Sequence, residues 1–145
     1  MNRTARYANI VRALAVVALG GLPAAADAAT STLTGVIEIK ATITINKTVP
    51  ANTVITAQGY VSMSDTVTGS HNVSDYVTLK NWSPGQTVTV TISLPYTWDI
   101  GGSGDQMSVS VNIYTNNAAL PSAGAGVEMS VPTTSPTTVA FPAAI

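Results

Sequence analysis

Between Leu33 and Ile45 apolar and polar residues alternate almost without a break. Leu33, Gly35, Ile37, Ile39, Ala41, Ile43 and Ile45 hold the odd positions, while Thr34, Glu38, Lys40, Thr42 and Thr44 hold the even ones. Val36 is the single exception. Side chains alternate faces along a strand, so the row predicts one amphipathic β-strand with a dry and a wet face. A helical period would scatter the isoleucines round the whole circumference. The run exceeds the roughly 5–6 residues of an ordinary strand. Such a strand either crosses the whole domain or reaches beyond it.

The same period recurs downstream. Val54–Met63 is a second predicted strand, Val73–Lys80 a third, and Thr87–Leu94 the cleanest, with Val88, Val90, Ile92 and Leu94 on one side. Pro95 is expected to end that strand, and Asp99–Asp105 to form a Gly-rich loop. Met107–Tyr114 repeats the alternation, followed by shorter strands at Val127–Val131 and Thr137–Phe141. Ser64–Asn72 and Asn116–Gly126 read as loops, and Ser83-Pro84-Gly85 as a turn. About seven strands separated by turn signals, with no helical period, predict an all-β fold, an immunoglobulin-like β-sandwich.

The region before the long strand has a different character. Arg3, Arg6 and Arg12 precede a short apolar core at Ala13–Leu19, and Ala26-Asp27-Ala28 fits a small-residue cleavage site. Residues 1–28 are therefore expected to be a signal peptide, removed on export. The apolar run of about 10 residues is short of the roughly 20 that a membrane helix needs. Residues 29–145 are expected to form a single β-sandwich domain whose N-terminal strand spans 32–45.

Without the leader, only Lys40, Lys47 and Lys80 stand against Glu38, Asp65, Asp75, Asp99, Asp105 and Glu128, a net charge of −3. That balance argues against nucleic acid or an anionic membrane as partner, since both require clustered Lys and Arg. Thr, Ser and Asn solvate the surface instead. A surface with few charges to desolvate tolerates packing against a neighbour. The chain has no cysteine, so its stability must come from core packing or assembly.

Chemistry-bearing groups are sparse. The sole histidine, His71, lies near Ser70 and Asp75 in sequence. Catalytic triads draw on separate segments around a preorganised oxyanion hole, and no nucleophile-elbow motif is present. A polar stretch with a solvated imidazole is the simpler reading, and no enzymatic activity is expected. Asp99-Ile-Gly-Gly-Ser-Gly-Asp105 contains carboxylates that suit Ca²⁺ but lacks the spaced acidic series of a calcium loop, so it reads as a turn. No metal or other cofactor is assigned. Tyr96 and Trp98 fall on the same side of an extended chain, where capping the core is the favoured reading and stacking on a sugar ring the alternative. Asn46, Asn72 and Asn81 each begin an N-x-Ser/Thr sequon.

The row Leu33-Thr34-Gly35-Val36-Ile37-Glu38-Ile39-Lys40-Ala41-Thr42-Ile43 resembles the N-terminal extension of fimbrial subunits assembled by the chaperone–usher route. The closest likeness is to the archaic branch and the spore coat protein U group. The resemblance implies an incomplete sandwich whose missing strand is supplied by the next subunit. Leu33, Gly35, Ile37 and Ile39 would be the inserted row, with a periplasmic chaperone and an outer-membrane usher as further partners. Physically, adding a strand from another copy satisfies an open sheet edge and fills side-chain pockets, and head-to-tail contacts of that kind make fibres. Two readings remain open from the residues themselves. One is an exported structural subunit that polymerises into a pilus-like surface fibre; the other is a self-complete monomer that binds a glycan through Tyr96 and Trp98.

Overall fold

The structure, a computed structural model, describes residues 31–65, 69–102 and 104–145. The expected signal peptide lies outside the described residues. Seven strands make up the fold: β1 (Ser31–Thr44), β2 (Ile55–Asp65), β3 (Gly69–Thr78), β4 (Thr87–Ile100), β5 (Gln106–Thr115), β6 (Ala123–Met129) and β7 (Thr137–Ala144). They form two sheets, ordered β4-β1-β7 and β3-β2-β5-β6. The protein is an all-β sandwich.

The chain changes sheet four times. It leaves β1 for the β2–β3 hairpin, returns for β4, crosses again for the β5–β6 hairpin and finishes on β7. β1 pairs antiparallel with β4 along its full length, from Ser31↔Ile100 to Thr44↔Thr87. On its other side it pairs in parallel with β7, but only from Ile37↔Thr137 to Thr44↔Ala144. The sequence alternation becomes the layering. Ile37, Ile39, Ala41 and Ile43 of β1 are fully buried, facing the odd-numbered residues of β2 and β5 across the core. Ile145 closes the bottom: its N–H donates to the Thr44 carbonyl, and its carbonyl accepts from the Asn46 N–H.

Two predicted strand ends move, for one reason. β4 continues through Pro95 to Ile100, and β7 continues through Pro142 to Ala144. Both are edge strands. A proline that lacks an N–H on the open side of a sheet removes no ladder hydrogen bond. Pro95 lies opposite Val36. The Val36 N–H points away from β4, to the Ser135 hydroxyl, so the pair is of the non-hydrogen-bonded kind and the missing N–H would have faced outward. The stretches expected as loops also shrink. β3 begins at Gly69 and β6 at Ala123, because register with β2 and β5 carries polar and small residues into the ladder.

Candidate functional site

The first six residues of β1 differ from the rest. Ser31–Val36 has β4 on one side, and no described strand flanks it on the other, since β7 begins opposite Ile37. Backbone N–H and C=O groups of alternate residues turn to the same side of a strand. Val36 turns its N–H towards the β7 side, where Ser135 Oγ accepts it at 3.0 Å. Thr32 and Thr34 therefore turn their backbone groups to that same side, beyond the first residue of β7. This is a ledge with an open edge, at the N-terminal end of the domain.

Beneath the ledge lies an aromatic floor. Leu33 pairs with Trp98 and Gly35 with Tyr96. A Cβ on Gly35 would sit 2.6 Å from the Tyr96 hydroxyl oxygen and 2.8 Å from the ring carbon that bears it. The ring thus lies across the glycine, and only hydrogen fits there. Trp98 is 1 % exposed and Tyr96 5 %, and burial pushes the Tyr96 hydroxyl above the usual phenol range. The Trp98 indole N–H is buried with no hydrogen-bond partner. Such an orphaned donor costs about 1–3 kcal/mol.

The ledge ends at an open cavity of about 340 Å³ lined by Ser31, Ile100, Gly101, Gly102, Asp105 and Val131. Asp105 Oδ2 accepts the Gly101 N–H at 2.8 Å and the Gly102 N–H at 3.1 Å, which fixes the start of the β4–β5 loop. Its other carboxylate oxygen is buried without a partner. Asp99 is on the outer face of β4, where Oδ1 accepts the Thr32 hydroxyl at 2.6 Å. The two acids of the predicted loop are thus engaged separately, and the described residues hold no cluster of three metal-ligating side chains.

The sequence-predicted residues divide sharply. Tyr96 and Trp98 are neighbours on one face, but that face is the core, so they form no surface platform for a sugar. The period-2 row Ile92, Leu94, Tyr96, Trp98 runs straight through Pro95, and that continuity was the signal for their burial. Of the expected donor row, Leu33 and Gly35 sit on the ledge. Ile37 and Ile39 do not: they are fully buried, with strands on both sides. His71 and Asp75 share a face of β3, four residues and so about 13 Å apart along the strand. That separation brings no triad together.

The outer face of the second sheet carries residues that motif reading passed over. Tyr76 on β3, Tyr60 on β2 and Tyr114 on β5 all project from it. Tyr76 is 64 % exposed and Tyr114 40 %. Three separated tyrosines give no sequence signal until the strand register places them on one surface. Comparison with protein-family models, curated proteins and solved structures finds no match to this chain.

Proposed function

We propose that the protein is an exported structural subunit that assembles with copies of itself by exchange of the N-terminal segment of β1. One observation carries the reading: Ser31–Val36 is paired on one side only, whereas Ile37–Thr44 is paired on both. Releasing the first segment breaks one ladder and uncovers Trp98 and Tyr96. The same segment from a neighbouring copy offers the same alternating row to the vacated edge of β4, so exchange replaces one set of contacts by another of the same kind and is decided by concentration and geometry. The likeness of this row to the extensions of chaperone–usher fimbrial subunits supports the same reading. It also supports a periplasmic chaperone and an usher as partners that hold the segment's cradle during export.

The exchanged row is shorter than the resemblance implies. Leu33 and Gly35 move; Ile37 and Ile39 stay in their own core. Each copy gives one segment and accepts one, and contacts of that heterologous kind that do not close extend into a fibre.

A cysteine pair tests this directly, because the chain has no thiol of its own. Thr34 and Thr97 are register partners on the outer face. They form a non-hydrogen-bonded pair with Cα atoms about 4.5 Å apart, within disulfide reach. Oxidising assembled T34C/T97C protein should give a ladder of covalent oligomers on a non-reducing gel. The T42C/T89C pair, in the two-sided half, should stay a covalent monomer. Monomer alone from T34C/T97C would sink the proposal, and a lone dimer band would sink the fibre, since reciprocal exchange closes.

A further inference from the structure

The two outer faces of the sandwich are chemically unlike. The outer positions of β4, β1 and β7 carry mainly Thr, with a few Ala and Pro, the charged Glu38, Lys40 and Asp99, and no aromatic ring. Those of the other sheet carry Tyr60, Tyr76 and Tyr114, with the Gln58 and Asn112 amides between them. Gln58 stands between Tyr76 on one neighbouring strand and Asn112 on the other. Tyr60 is diagonal to Tyr76, about 7–8 Å away. Tyr114 lies about 14 Å from Tyr60, from a rise of about 3.4 Å per residue and a strand spacing of about 4.8 Å.

The surface between the rings is low. Ser74 and Ser110 flank Tyr60, and Gly124 and Gly126 stand opposite Asn112 and Ser110 on β6. The Asn112 Oδ1 atom is 2.8 Å from where a Cβ on Gly124 would be, so the amide lies across the glycine and any side chain there would displace it. Along the same face, past Tyr60, a polar cavity of about 90 Å³ opens between Ser62, Ser64, Gln106, Ser108 and Glu128. Its hydroxyl, amide and carboxylate groups are hydrogen-bond partners for a hydroxylated ligand.

We propose that this face binds a neutral polysaccharide chain. The apolar matter on it is confined to flat phenol rings, which offer large rigid contact area at low entropic cost and stack against the C–H faces of sugar rings. Amides and hydroxyls fill the spaces between, and these bond to sugar hydroxyls. A protein partner would call for an apolar core in the patch, and the face has no aliphatic side chain among its outer positions. An anionic polymer would call for Lys or Arg, and those positions carry neither; Glu128 is their one charge. The three rings, spread along and across the strands, suit an extended chain of several sugar units rather than a single ring.

The site shares no residue with β1, so its test is separate from that of strand exchange. Full-length mature protein is run by affinity electrophoresis through gels containing β-glucan, xylan, mannan or glycogen. Retardation in at least one gel is expected. Tyr76→Ala and Tyr60→Ala should each weaken it at least tenfold, and Tyr76→Phe should retain it, since the ring does the stacking. Thr42→Ala, on the opposite face, should migrate as wild type. Circular dichroism confirms the fold of each variant, and Tyr76, being largely exposed, is safe to truncate. Unretarded migration of the wild-type protein in all four gels would overturn the proposal. Retardation that survives the Tyr60→Ala/Tyr76→Ala double variant would do so as well.

Discussion

The two halves of β1 obey one alternation and have different neighbours. From Ile37 to Ile43 the odd residues are sealed beneath strands on both flanks. From Ser31 to Val36 the same alternation continues, yet β7 has not begun, and Leu33 is only half-buried. A fully buried aliphatic side chain contributes about 1.5–3 kcal/mol, and the second half stacks three isoleucines and an alanine. The first half offers one leucine and a glycine. Identical patterning therefore yields an anchor and a detachable end, and the difference lies in how many strands each half touches.

The comparison can be strained from its strong side first. Ile39→Ala should destabilise the domain by about 2–5 kcal/mol, because the cavity is walled by both sheets and cannot collapse. A shift of the urea midpoint at unchanged slope measures it. A loss below about 1 kcal/mol would mean that the second half is not an anchor. Gly35→Ala is expected to cost about 1–3 kcal/mol by pushing the Tyr96 ring off the strand. It should also impair cross-linking of T34C/T97C between copies, since an incoming segment meets the same ring. Equal stability for Gly35→Ala and wild type would show that the ring does not rest on the glycine.

The smallest effect is electrostatic. Burial raises the Tyr96 hydroxyl above its unfolded value, so the folded state holds a proton that the unfolded state gives up near pH 10. Stability should be unaffected below that pH and fall above it, through the raised folded value. Tyr96→Phe should flatten this alkaline limb without moving the neutral-pH baseline slope. Thermal melts from pH 8 to 11 would show it, and identical alkaline limbs would remove Tyr96 from the account.

Much of the fold was legible because strand burial writes itself as a period of two. Each predicted strand overlaps an observed one, and the odd isoleucines of β1 are core as their row implies. Boundaries failed at Pro95 and Pro142, where proline's usual role as a breaker yields to the tolerance of an edge strand. Which strands are edges is not a local property. The candidate sites were less legible. Tyr96 and Trp98 share a face and cap the core, as the burial habit of aromatics at a strand end implies, and only the alternative of a sugar platform fails. Tyr60, Tyr76 and Tyr114 come from three strands and become one surface only through the β2–β3 and β2–β5 registers.

By itself, then, the sequence determined that this chain makes strands, which residues of each strand share a face, and that few charges resist close packing. These follow from local sterics and from the cost of burying polar groups. Tertiary structure alone decided that β7 begins opposite Ile37, which divides a uniform strand into a held half and a half-paired one. The partner that begins there is about 100 residues away in sequence, and no property of β1 records where it starts. The opening strand is therefore continuous as a pattern and divided as a structure, with the division between Val36 and Ile37.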